Sequence, residues 1–511
     1  MPRFVLLLFV LFLFGQADAA ETEDCPISII ENPLPPDGIT AAPSFFLPTP
    51  PVDNDCGFYN ASWHEFLYVT QAGKIGETDP AFLGMPGVRD VFPTAYSAQV
   101  SADTLGRSSL SFDVQVRNPE PILDTDKREL KKSTTIDDGF TQAQKVGIGS
   151  VLVDINGNPI FYSVNVNETF KDFVESNKLN DIPRLFLPAN DEAAVPTDLE
   201  FRPGSVELKA SWMIVEGTAV DYSSYIVVDG HVPALKKITD PQGKETLAID
   251  SSRPLRDVRL ALLGLHVVEV LDGHPEFVWA SFEHADGKGK RDVAPSAVAN
   301  PIDDGSGPKT AALDDVNRDY PLFAKQSAIA DSNDPRLPQQ FDEATQKFLR
   351  STPIFRIFPG SSDGPVDEAK TEWEDPAVST LNRHIGERFD QIDRDHKDLR
   401  RNYRLVGAIW LNTPRNVKQD DSGKWTADFT AKTEFLNSDA RLAGEKRLSN
   451  VAIESFTQPE ASSPNCFSCH DTMKQNLALN GHAIAARRIN VSHIFDMAAR
   501  RYLELHPGEI K

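Results

Sequence analysis

Five residues near the C-terminus, Cys466-Phe467-Ser468-Cys469-His470, carry the most specific chemistry in the chain. Two thiols three positions apart can add to the two vinyl groups of a haem. The adjoining imidazole then lies beneath the porphyrin with a nitrogen able to bind iron, so one turn supplies both attachment and axial ligation. Two other chemistries use the same residue types. A zinc site would take Cys466, Cys469 and two of His470, His482 and His493, but zinc modules generally present a second compact ligand pair and these histidines are spaced singly. A thioredoxin-like dithiol would need a βαβ setting, and the sequence after the pair reads as helical. Covalent haem, one per chain, is the favoured reading of the three.

Iron held by His470 has a second axial position. Met473 is only three residues on and shares the face of His470 if a helix continues, so it cannot swing round to the far side of the porphyrin. Met497 and His493 are the candidates, with His482 behind them. A methionine there would raise the potential, and a second histidine would generally lower it. Each also reads as an ordinary core or surface residue. A ligand from further up the chain, His266 or His284, and an open position both remain compatible with the sequence. Glu283, His284 and Trp279 either border the haem or close a hairpin in solvent.

The elements that must position these residues are mainly strands. In VELKASWMIV, residues 206–215, Val206, Leu208, Ala210, Trp212 and Ile214 alternate with Glu207, Lys209 and Ser211, the period of a half-buried strand with Trp212 in the core. Residues 151–166 carry Asn156-Gly157, whose positive φ angles suit a tight hairpin turn. Residues 258–284 offer two β-rich arms around Asp272-Gly273, and residues 405–435 offer LVGAIWLN and WTADFTAKTEF around a polar turn. Helical spacing marks Phe58, Trp63, Phe66 and Leu67, with His64 on that helix. It also marks Val378, Leu381, Ile385, Phe389 and Ile392, after an Asp375-Pro376 start. The alanine-rich last fifty residues, LALNGHAIAARR and VSHIFDMAARRYLEL, read as helical too. The expected fold class is α+β: an antiparallel β-rich scaffold with short helices and a helical C-terminal haem segment packed against it.

The N-terminus carries an address. Residues 4–14 (FVLLLFVLFLF) are an unbroken apolar run after Arg3, followed by Ala17-Asp18-Ala19 and acidic residues, the pattern of a cleaved signal peptide. The run is well short of the ~20 residues that span a bilayer, so no membrane span is expected in the mature chain. Export makes a disulfide between Cys25 and Cys56 the natural use of the other two cysteines. The expected organisation is a signal peptide at 1–19, a proline-rich extended arm at 20–56, a β-rich region at 57–357 and a loop or boundary at 358–375, where FPGSSDGP lies. A mixed region follows at 376–511, with the haem segment at about 450–500.

Across 511 residues, 75 aspartates and glutamates outnumber 52 lysines and arginines, a net charge of −23. That balance disfavours nucleic acid, whose phosphates attract positive surface, and favours basic partners. No H-E-x-x-H pair or phosphate-binding glycine loop occurs.

With NCFSCH in view, the chain resembles the c-type cytochrome domain proteins, in particular large bacterial exported single-haem members. SWHEFLYV, FVWASFEHADG, RLVGAIWLN and LSNVAIESFTQ add to the likeness, which spans most of residues 57–498. The resemblance implies covalent haem on Cys466 and Cys469, iron ligation by His470, a periplasmic home and electron transfer. The chain departs from small soluble cytochromes c in lacking an obvious methionine loop and in the long sequence ahead of the motif. Three functions follow as expectations. The first is an exported carrier passing single electrons between periplasmic redox partners, possessing an acidic surface that steers basic ones. The second is a haem-dependent oxidoreductase acting on peroxide or a small substrate held by the β-rich region. The third is an interaction protein with a zinc-stabilised tail.

Overall fold

The computed structural model describes Cys25 and residues 55–71, 79–96, 151–186, 195–196, 199–239, 245–250, 252–271, 274–285, 293–297, 313, 315–335, 337, 339–357, 376–395, 397–411, 417–419, 425–427, 442–444, 448, 450–456, 458, 466–468, 470, 472, 475–476 and 483–506. The signal peptide, most of the proline-rich arm, Asp272-Gly273 and the 358–375 boundary lie outside the described residues, as do Cys469, Met473 and His482.

The strands are β1 Phe161–Val166, β2 Val206–Ile214, β3 Val227–Val232, β4 Leu235–Thr239, β5 Glu245–Ile249, β6 Arg256–Leu271, β7 His274–His284, β8 Phe341–Asp342, β9 Lys347–Phe348, β10 Tyr403–Leu411, β11 Val417–Gln419, β12 Trp425–Ala427, β13 Leu442–Gly444, β14 Gln475–Asn476 and β15 Ala483–Ile484. The helices are α1 Asp55–Thr70, α2 Val88–Val91, α3 Pro93–Tyr96, α4 Glu168–Ser176, α5 Pro376–Ile392 and α6 Ile494–Leu505. Among the described residues an antiparallel seven-stranded sheet in the order β1-β2-β6-β7-β10-β13, with β3 also paired to β6, organises the fold, alongside four two-stranded ladders. The α+β class expected from the strand and helix periodicities is the one observed. The sheet draws strands from both sides of residues 358–375, so the regions before and after that boundary share one scaffold.

Both faces of the sheet are covered. On one, Leu208, Ala210, Trp212, Leu265, Val267, Ala280, Phe282, Leu405 and Trp410 pack in a core shared with α1 and α5. Phe66 of α1 stacks on Phe282 at 4.2 Å, and Phe58 on Trp410 at 4.0 Å. Nearly every residue of α1 is buried, so it is not the one-sided amphipathic helix its spacing predicts; His64, read as a helix-face residue, is buried with it. Burial without compensating hydrogen bonds disfavours a cation, and the His64 ring is pushed down to about 4. In α5, Val378, Leu381, Ile385 and Phe389 face the core as their spacing requires. Asn382 accepts the Trp63 indole N–H at 3.0 Å and exchanges two hydrogen bonds with the Leu405 backbone, beside a β-bulge between Leu405 and Gly407. Cys25 and Cys56 form a disulfide, tying the segment ahead of α1 to its first turn.

On the other face Val166, Val268, Val270, Phe277, Trp279, Val406 and Ile409 pack against α4, α6 and buried residues of the C-terminal segment. The polar residues of β2, expected to face solvent, lie beneath that cover. Arg356 and Glu283 form an ion pair there, with side chains 2% and 0% exposed, and the same carboxylate accepts the Val451 N–H at 2.9 Å. The expected solvent-facing hairpin end is therefore a buried polar junction.

Three local expectations are corrected. The 258–284 hairpin forms as β6 and β7, but the arms of 405–435 do not pair with each other: β10 joins β7 and β13, while Trp425–Ala427 pairs with Val417–Gln419. β10 pairs with β7 at six positions, a longer ladder than the three-residue Trp425–Ala427 strand can offer. The Asn156-Gly157 turn is present, with Gly157 at φ +83° and Asp154 accepting the Asn156 and Asn158 N–H groups, yet its hairpin is a single bridge and β1 pairs with β2. Helix in the last fifty residues is described only at Ile494–Leu505; residues 483–484 are strand and Cys466–Ser468 a 3-10 turn, because this segment is shaped by the sheet face it covers rather than by alanine's helix preference.

Two outcomes follow. Glu283→Ala strands the Arg356 cation in the interior and should lower stability by about 3–5 kcal/mol, read as a lower urea midpoint; a loss under about 1 kcal/mol would mean Arg356 escapes to water. Burial pushes the Asp154 carboxyl up to about 7, against the pull of the Asn158 and Asn156 N–H groups. The folded state then binds more protons than the unfolded chain between about pH 4 and 7, so stability falls as pH rises through that window. Asp154→Asn should flatten that slope in denaturation curves at a series of pH values, and an unchanged slope would refute the assignment.

Candidate functional site

Antiparallel register aligns side chains of neighbouring strands on one face, two positions apart along each strand. On the face covered by the C-terminal segment this gives three rows. The first is Val166, Glu207, Val268, Trp279 and Ile409; the second Val164, Lys209, His266 and Ser281; the third Tyr162, Ser211, Gly264 and Glu283. The rows form a floor, and each meets a different piece of the chain's end.

Residues 450–456 lie on the second and third rows. Asn450 donates from Nδ2 to Ser281 Oγ at 3.1 Å and to the Phe282 carbonyl at 2.9 Å. It enters over Gly264, where a Cβ would stand 2.7 Å from the Asn450 amide nitrogen; the glycine is needed for this close approach. His266 Nε2 lies 2.7 Å from Glu454 Oε1, and Tyr162 donates its hydroxyl to the Ala452 carbonyl at 2.9 Å. The LSNVAIES run is thus a polar anchor on the sheet.

The first row carries the histidine. Trp279, held by its indole N–H on the Glu276 carbonyl at 3.1 Å, lies 4.2 Å from the His470 ring and 6.1 Å from Phe467. His470 follows the Cys466–Ser468 turn, its N–H donated to the Cys466 carbonyl at 2.8 Å. Its Nδ1 lies 2.9 Å from the Val491 carbonyl, and its ring stacks on His493 at 4.0 Å with planes 17° apart. Burial, then the neighbouring His493, keep His470 well below the ordinary histidine range, with the Val491 carbonyl working the other way. The ring is therefore neutral at pH 7. With Nδ1–H given to a carbonyl, the lone pair is on Nε2.

A neutral imidazole with one nitrogen held by a backbone carbonyl and the other left as a base is what an axial or metal-ligating histidine needs. Trp279 and His493 both pack on the His470 ring and hold its orientation. These residues fit the iron ligand that the cysteine-histidine motif implies. Cys466 is partly buried against the same core.

The other candidates fall differently. His493 stacks on the His470 ring at 4.0 Å. Met497, one turn further along α6, is partly buried against the core below. His284 lies on the opposite face of the sheet, stacked on Tyr225 at 3.5 Å with Nε2 3.1 Å from the Ser224 carbonyl, so it cannot reach His470. His266 is in the neighbouring row, engaged with Glu454. Among the described residues no group of three or more His, Cys, Asp and Glu is arranged to hold a metal ion; Cys469 and His482, which a zinc site would use, lie outside them.

Residues missed by sequence reasoning are Glu207, Lys209, Asn450, Val491 and Ser492. Glu207 and Lys209 read as the wet side of a strand, and a carbonyl such as that of Val491 leaves no signature in side-chain pattern.

Comparison with protein-family models, with curated proteins and with solved structures returned no match.

Trp279 joins the histidine to the sheet, and Trp279→Ala should cost about 3–5 kcal/mol as a large-to-small core change, measured by chemical denaturation. A cost under about 1 kcal/mol would show that the C-terminal segment is not seated on this row.

Proposed function

We propose that the chain is an exported c-type cytochrome that carries one haem, attached through Cys466 and Cys469, with His470 as an axial iron ligand, and that it transfers single electrons between periplasmic partners. The observation that carries this reading is His470: it completes the C-x-x-C-H motif, and its Nδ1 is bound to the Val491 carbonyl at 2.9 Å, which leaves Nε2 free for a metal. The bound group would supply the one-electron chemistry. The residues supply its setting: Cys466 and Cys469 anchor it, the Val491 carbonyl fixes the proton of His470 on Nδ1, and Trp279, Phe467 and His493 provide apolar and aromatic surface that excludes water. Among the described residues no helix is long and apolar enough to cross a membrane. The net charge of −23 supports association with basic redox partners that weakens as salt rises.

One observation favours a second reading. His493 stacks on His470 instead of facing it, which supports an iron position open to a small oxidant, as in a haem-dependent oxidoreductase.

The test is the absorption spectrum of protein made with the c-type haem maturation machinery, oxidised, reduced and as the pyridine adduct. One covalent haem per chain is expected, with single-thioether spectra from Cys466→Ala and Cys469→Ala. Protein without haem that retains zinc would overturn the reading. Carbon monoxide decides between carrier and oxidoreductase: an unchanged reduced spectrum supports the carrier, and ready binding supports the enzyme.

A further inference from the structure

Three consecutive residues do three jobs around His470. Val491 gives its carbonyl to Nδ1, Ser492 donates its hydroxyl to Glu207 Oε2 at 2.6 Å, and His493 covers the ring face. All three are buried, as is Glu207. Register places Glu207 in the same row as Trp279, with only Val268 between them. At about 4.8 Å between neighbouring strands, the two are roughly 10 Å apart. The sheet therefore touches the histidine assembly at two points: at Trp279, 4.2 Å from the His470 ring, and at Glu207, through Ser492.

Burying a carboxylate costs free energy unless it is well hydrogen-bonded. A leucine or valine at 207 would suit this core of Val166, Val268, Phe495 and Ile494 better on hydrophobic grounds alone. What the carboxylate adds is a directional tie to a segment 285 residues away in the chain.

We propose that Glu207 and Ser492 are positioning residues for the axial ligand: the Glu207–Ser492 hydrogen bond fixes residues 491–493 on β2, and so sets the Val491 carbonyl on Nδ1 and the His493 ring against His470. The inference rests on the haem reading above. A carbonyl that holds Nδ1–H raises the basicity of the ligating nitrogen. Greater basicity favours ferric iron, so loosening the tie weakens donation and moves the midpoint potential to more positive values.

The experiment compares wild type, Ser492→Ala, Glu207→Ala and Glu207→Gln, each matured with haem, by redox titration and by electron paramagnetic resonance of the ferric form. The pyridine adduct of the wild type is recorded first; absence of covalent haem there overturns the parent reading, and this inference with it, before any variant is compared. With haem present, Ser492→Ala and Glu207→Ala should show a positive shift in midpoint potential and altered ferric g-values. Glu207→Gln, whose amide oxygen can still accept from Ser492, should return both towards wild type. If Glu207→Ala does not fold, Ser492→Ala, a change of one hydroxyl, decides alone. Variants that lose stability but keep the wild-type potential and g-values would overturn the proposal and leave the pair a structural contact.

Discussion

The fold depends on burying both faces of one antiparallel sheet. One face is mainly apolar and is covered by α1 and α5. The other carries Glu207, Lys209, Ser211, His266, Ser281 and Glu283 in rows set by register, and such a face can leave water only if each polar group meets a partner. Arg356 pairs with Glu283, and the other partners come from the C-terminal segment: Asn450 for Ser281, Glu454 for His266, the Val451 N–H for Glu283, and Ser492 for Glu207. The polar groups thus specify where the C-terminal segment lies, which apolar contacts alone would leave free to slide.

This arrangement ties the candidate site to the scaffold. His470 sits at the end of a short turn and has little secondary structure of its own to hold it. Trp279, His493 and the Val491 carbonyl together restrain the ring. A ligand restrained in this way keeps one tautomer and one orientation, the condition for a defined electronic environment at a bound metal. The sheet is then the platform that positions His470.

Period-two alternation is a sound guide to strands but a poor one to what covers them. In β2 the alternation of Val206, Leu208 and Ala210 with Glu207 and Lys209 located the strand correctly and misassigned its polar side to solvent, because the partner of Glu207 lies 285 residues away. The same limit explains α1, whose spacing marks one apolar stripe while the helix is buried nearly all round. It explains the 405–435 pairing too, since local turn signals say nothing of the longer strand that competes for β10.

What the sequence determined by itself is the chemistry available: Cys466, Cys469 and His470 at a spacing that suits covalent haem, the α+β class, the main strands and α5. These are local properties, carried by residue types and short-range periodicity. Only the tertiary structure decided that His493 stacks on His470, that His284 lies on the opposite face of the sheet against Tyr225, and that the Val491 carbonyl meets His470 while Ser492 meets a buried glutamate. Those outcomes follow from strand register and from hydrogen bonds between distant segments, and neither leaves a periodic trace along the chain.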